Sequence, residues 1–101
     1  MDFLVEIAVA LPAGMPVAER AALLERERQR GSELRAAGTL ERIWRLPGRL
    51  ANVGIWTAPD AEALHAALTS LPVWPHAEIT VTVLARHPLE EALDGEDRAA
   101  V

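Results

Sequence analysis

The sequence predicts an α+β domain in which four antiparallel strands carry two helices on one face. Three observations predict it. Apolar residues alternate with period two near residues 3–10, 40–46, 51–57 and 77–85. They recur at helical spacing in two other stretches, Val17 to about Ala37 and the residues after Asp60. The resulting order, β-α-β-β-α-β, is the split βαβ or ferredoxin-like arrangement.

The first strand is FLVEIAVA, with Phe3, Val5, Ile7 and Val9 on one face and Leu4, Glu6, Ala8 and Ala10 on the other. Pro12, Gly14 and Pro16 end it. The first helix carries Val17, Ala21, Leu24, Gly31 and Leu34 as its stripe, and Gly38 sits where a glycine closes a helix. Residues 40–46 and 51–57 form a hairpin around the Pro47-Gly48 turn. Asp60 caps the second helix, with Ala61, Leu64, Leu68 and Leu71 at helical spacing before Pro72 and Pro75. Residues 77–85 are the last strand. A short helix is expected around Leu89–Leu93, in an acidic tail of residues 89–101 that follows the folded domain of residues 1–88.

The alternation places Val5, Ile7, Val53, Ile55, Ile79, Val81 and Val83 under the helices. It places Leu4, Glu6, Trp44, Asn52, Trp56, Thr80 and Thr82 on the other face. An open face bearing Leu and Trp calls for a cover. The expectation is a dimer whose facing sheets enclose a ligand pocket.

Composition narrows the function classes. Of 101 residues half are hydrophobic and a quarter charged, as in an ordinary globular domain. Cysteine is absent, which removes disulfides, thiolate metal sites and thiol nucleophiles. Five tail acids, Glu90, Glu91, Asp94, Glu96 and Asp97, oppose only Arg98 and account for most of the net charge of −5. A near-neutral body with an acidic tail argues against nucleic acid as a partner. No stretch approaches the roughly 20 apolar residues of a membrane span, and the first strand lacks the features of a signal peptide. A cytoplasmic protein is expected, with no metal and no cofactor. The three histidines, His65, His76 and His87, fall on different elements, and phosphate-loop and nucleophile-elbow patterns are missing.

Glu27 is the acid of most interest. It falls within the apolar arc of the first helix, beside Leu23, Leu24, Gly31 and Leu34. Burial of a carboxylate raises its pKa towards the range of a general base. The alternative is an ordinary ion pair with Arg20, Arg28 or Arg30 on the same helix. Arg42, Arg45, Arg49 and Arg86 lie near strand ends, where any of them can take a carboxylate in a fork geometry or simply be solvated. Asn52 is a candidate to orient a polar ligand or a turn residue. His65 and His87 are candidate pocket groups or plain structural histidines.

The chain resembles muconolactone Δ-isomerase. The matching strings are Leu11-Pro12 with Met15-Pro16, Arg26-Glu27, Ile43-Trp44-Arg45-Leu46 with Gly48-Arg49, and Asn52. They continue as Leu64-His65-Ala66, Leu71-Pro72 with Pro75, and Leu84-Ala85-Arg86-His87-Pro88. The resemblance spans residues 3–88. It implies a dimeric α+β barrel assembling into a larger homo-oligomer such as a decamer. It also implies cofactor-free isomerisation of muconolactone to 3-oxoadipate enol-lactone in aromatic breakdown. Glu27 is then the catalytic base, and Arg49, Asn52, His65 and His87 are substrate-binding groups. Three positions depart from the family pattern. Leu24 stands where a lysine is expected, Arg30 where a tyrosine is, and His76 replaces another aromatic. These departures keep open a related cyclase or dehydrohalogenase acting on another ring compound, and a non-catalytic module that binds a small ligand.

Overall fold

A computed structural model describes residues 1–90 of the chain. The elements are β1 (Asp2–Val9), α1 (Val17–Ala36), β2 (Leu40–Arg45), β3 (Ala51–Thr57), α2 (Ala61–Thr69) and β4 (Ala77–Leu84), with a 3₁₀ turn at Trp74–His76 before the last strand. All six elements follow the expected order, within a residue or two at their ends. The strands form one antiparallel sheet in the order β2-β3-β1-β4. Residues 88–90 begin a helical turn where the tail helix is expected, with the Glu90 N–H donating to the His87 carbonyl at 2.9 Å, and the rest of that helix lies outside the described residues.

Local chemistry explains the boundaries. Gly38 adopts φ +80° after the last turn of α1, a left-handed conformation that glycine takes without a Cβ penalty. The Gly38 N–H donates back to the Arg35 carbonyl at 3.1 Å. The Asp60 carboxylate accepts from the Ala63 N–H at 2.8 Å and starts α2; such a cap contributes about 1 kcal/mol. The Met1 ammonium donates to the Ala58 carbonyl at 2.9 Å, tying the chain start to the end of β3.

The core lies between the sheet and the helices. Phe3, Val5 and Ile7 of β1 pack with Leu23 and Leu34 of α1, Leu40, Trp56, and Leu64 and Leu68 of α2. Each such side chain, fully buried, contributes roughly 1.5–3 kcal/mol of transfer free energy. The α1 stripe runs through Leu23, Glu27 and Leu34, not through Val17, which is 84% exposed. The first turn of the helix overhangs the sheet.

The hairpin register corrects one expectation. Phe3 pairs with Trp56, Val5 with Gly54 and Ile7 with Asn52, so these residues share the helix-covered face. Leu4 pairs with Ile55 and Glu6 with Val53, which turns Ile55 and Val53 to the open face. A one-residue difference in register reverses the face of every side chain on a strand. Trp56 is accordingly core, 1% exposed. The other face still holds Leu4 and Trp44 as expected, now with Val53 and Ile55. On β4 the register is as expected, since Val81 and Val83 pair with Val5 and Phe3. Ala77 and Ile79 pack against the core, but the later part of this edge strand does not, and both valines are exposed.

Candidate active site

Glu27 sits on the sheet-facing side of α1, one turn after Leu23 and two before Leu34. Its Oε1 accepts a hydrogen bond from the Val73 N–H at 3.1 Å. Val73 is buried in the connection between α2 and β4, so that connection fixes the carboxylate from the side. Burial pushes the Glu27 carboxyl above its ordinary value of 4.5, and the Val73 N–H opposes the shift by favouring the anion. No arginine of the helix pairs with Glu27 among the described residues. Arg28 pairs with Glu25 at 2.6 Å and Arg30 with Glu33 at 3.3 Å, while Arg30 Nε donates to the Ser70 hydroxyl at 2.9 Å. The intrahelical ion pair is thus not the role of Glu27 among the described residues.

Opposite Glu27 the sheet presents a row of three side chains from adjacent strands, Arg45 on β2, Asn52 on β3 and Ile7 on β1. Helix and sheet diverge here and leave a cleft of about 420 Å³, lined among others by Leu24, Glu27, Arg28, Arg45, Asn52 and Val73. The Asn52 Oδ1 is buried, with no hydrogen-bond partner among the described residues. An unpaired buried carbonyl costs about 1–3 kcal/mol, and the amide it belongs to borders the cleft. The cleft holding Glu27 and Asn52 lies on the helix side of the sheet within one subunit.

A carboxyl with a raised pKa in such a cleft is able to take up and return a proton. A half-buried carboxylate faces polar groups across a space that suits a small ligand. Among the described residues no group of three His, Asp or Glu is placed to hold a metal ion, and no helix is long and apolar enough to cross a membrane.

Of the sequence-derived candidates, the structure brings Glu27 and Asn52 together. Arg49 lies in the β2–β3 turn, where its N–H donates to the Leu46 carbonyl, and it does not line the cleft. His65 is exposed on α2 and meets the Trp74 ring edge to face at 5.8 Å. His87 follows β4, and its Nδ1 accepts from the Leu89 N–H at 2.9 Å. Leu84, just before it, pairs with Asp2, five residues from Ile7 along β1. That spacing is about 17 Å of strand. Two groups of the cleft were less visible in the sequence. Arg45 was one of four equivalent strand-end arginines, and its register opposite Asn52 now singles it out. Val73 acts through its backbone N–H, which carries no residue-type signal.

Comparison with known proteins identifies the family. Residues 1–90 match the family model described as muconolactone delta-isomerase. The muconolactone delta-isomerase of Pseudomonas aeruginosa is 34% identical, over 97% of this chain and 100% of that one. Muconolactone delta-isomerase 1 of Acinetobacter lwoffii is 38% identical, over 87% of this chain and 92% of that one. A crystal structure of muconolactone isomerase superposes with a TM-score of 0.82 at 38% identity, covering 87% of this chain and 92% of the other.

Proposed function

The chain belongs to the muconolactone delta-isomerase family, and we propose that it is an isomerase of aromatic catabolism that converts muconolactone to 3-oxoadipate enol-lactone, with Glu27 as the shuttling base. The observation that carries this reading is the Glu27 carboxylate itself, half-buried, raised in pKa and facing a cleft of ligand size. The ionised carboxylate takes the proton from the ring carbon γ to the lactone carbonyl. The electron pair delocalises through the double bond onto the carbonyl oxygen as a dienolate. Glu27 then returns the proton at the α carbon, two carbons away, and the double bond is left in its new position. One base serves both steps, since the two carbons lie on one edge of a five-membered ring. A carboxyl pKa above the ordinary value narrows the gap to the weakly acidic C–H. The Val73 N–H keeps the carboxylate in place through both transfers.

Asn52 is the second group of the proposal. Its amide stands beside the space the lactone would occupy, and its NH₂ suits the oxygen on which charge develops. Donors aimed at developing charge are commonly the largest catalytic contribution. We further propose that the open sheet face with Leu4, Trp44, Val53 and Ile55 is covered by a second copy of the chain in a homo-oligomer. A surface of this kind costs free energy when left in water.

The test is incubation of the purified protein with (+)-muconolactone, followed by ultraviolet absorbance and NMR of the product. Accumulation of the enol-lactone is the expected result. A folded protein that leaves muconolactone unchanged would contradict the assignment, and would turn attention to other ring acids.

A further inference from the structure

We propose that Arg45 anchors the carboxylate side chain of the substrate, so that this chain selects anionic lactones from the sheet side of its cleft. The inference rests on the isomerase reading above and adds the residue that sets its substrate class. Three observations carry it.

The first is position. Arg45 is directly opposite Asn52 in the β2–β3 register, and both line the cleft that Glu27 faces. Directly opposed side chains on neighbouring strands have Cβ atoms about 5 Å apart. A ligand held by Arg45 therefore has its ring beside Asn52 and under the helix. The second is availability. Two arginines line the cleft, and Arg28 is joined to Glu25. The Arg45 side chain has no hydrogen bond or ion pair among the described residues, and Arg42, on the same strand, stacks on Trp44 at 5.1 Å. A guanidinium offers five N–H donors in a planar fork that matches a carboxylate.

The third is that Arg45 and Glu27 are not paired, although they carry opposite charge and share one cleft. An ion pair between them would fill the space and draw the Glu27 carboxyl down. The two influences on that carboxyl are instead burial and the Val73 N–H. No ion pair joins Arg45 to Glu27 among the described residues. On the helix, Leu24 and Gly31 also line the cleft and carry no charge, and the one cation there, Arg28, is joined to Glu25. Charge for an anionic substrate comes from the strand, while the helix supplies the base and an apolar wall.

The experiment compares Arg45→Ala and Arg45→Lys with the unchanged protein on muconolactone and on its methyl ester, which lacks the negative charge. Truncating one partner of a charge-assisted pair costs roughly a hundredfold in affinity. The expected result is a KM for the acid raised about 100-fold in Arg45→Ala with kcat changed little. The KM for the ester should stay put, and Arg45→Lys should fall between. Equal losses on acid and ester, or no loss on the acid, would overturn the assignment. Calorimetric binding of the saturated lactone acid, which has no double bond to shift, separates this proposal from the isomerase reading. Binding by the unchanged protein that Arg45→Ala weakens about 100-fold supports Arg45 even without turnover. Binding unaffected by the substitution, or absent from the unchanged protein, would refute it.

Discussion

The two ends of the β2–β3 hairpin share a face of the sheet and have opposite fates. At one end Leu40 pairs with Trp56, and both are buried, at 5% and 1% exposure. Gly54 lies between, where a Cβ would come within 2.7 Å of the Arg42 carbonyl oxygen. At the other end Arg45 pairs with Asn52, and the helix above supplies Glu27 where the core would continue with a leucine. The first end is packed shut. The second is open and lines the cleft with Arg45, Asn52 and Glu27. A bulge between Leu40 and Arg42 separates the two regimes. A cleft is thus made by changing side chains along a strand pair while the sheet itself continues.

The largest expected effect breaks the open end. Glu27→Gln keeps the shape and can still accept the Val73 N–H, but it cannot take a proton. Turnover should fall by about 10²–10⁴-fold, the range for a positioned general base, while the circular dichroism spectrum stays the same. An active Glu27→Gln protein would remove Glu27 from the mechanism. Substitution at Asn52 sharpens the same end. Asn52→Ala should lower kcat about tenfold or more if its amide stabilises the dienolate, and stopped-flow rates with saturating substrate measure it.

The closed end predicts stability, not rate. Gly54→Ala drives a methyl group against backbone, which cannot give way as a flexible side chain would. Overpacking of this kind costs about 1–3 kcal/mol. Urea unfolding should show the loss, and an unchanged midpoint would mean that the hairpin is looser than its contacts indicate.

The smallest effect concerns pH. In the folded state burial raises the Glu27 pKa, so the folded protein holds that proton more tightly than the unfolded chain. Below the ordinary value of 4.5 both states are protonated and the contribution to stability is fully present. As pH rises through the folded pKa the contribution is lost, because the anion is penalised only in the fold. Glu27→Gln lacks this loss. It should be at least as stable as the unchanged protein at pH 7, with the difference shrinking towards pH 4. Urea midpoints at the two pH values provide the check.

Much of this was legible in the sequence. Element order follows from periodicity and from Asp60, Gly38 and the proline pairs, whose local chemistry acts wherever the chain goes. Glu27 was legible because one carboxylate interrupts an otherwise apolar arc. The face of β3 was not. ANVGIWT is apolar on both faces, so alternation alone does not say which set points inward. Pairing with β1 decides it, and puts Asn52, Gly54 and Trp56 inside. The exposure of Val81 and Val83 was hidden for a similar reason, since the reach of a helix over an edge strand is a tertiary fact. Arg45 remained one of four arginines until the register placed it opposite Asn52.

The central claim is that Glu27 is a desolvated carboxylate poised as a base, and a carbon-13 NMR titration of its side-chain carboxyl tests this most directly. The expected midpoint lies clearly above 4.5, matched by an acid limb in the pH profile of kcat/KM. A midpoint at the ordinary carboxylate value would contradict it.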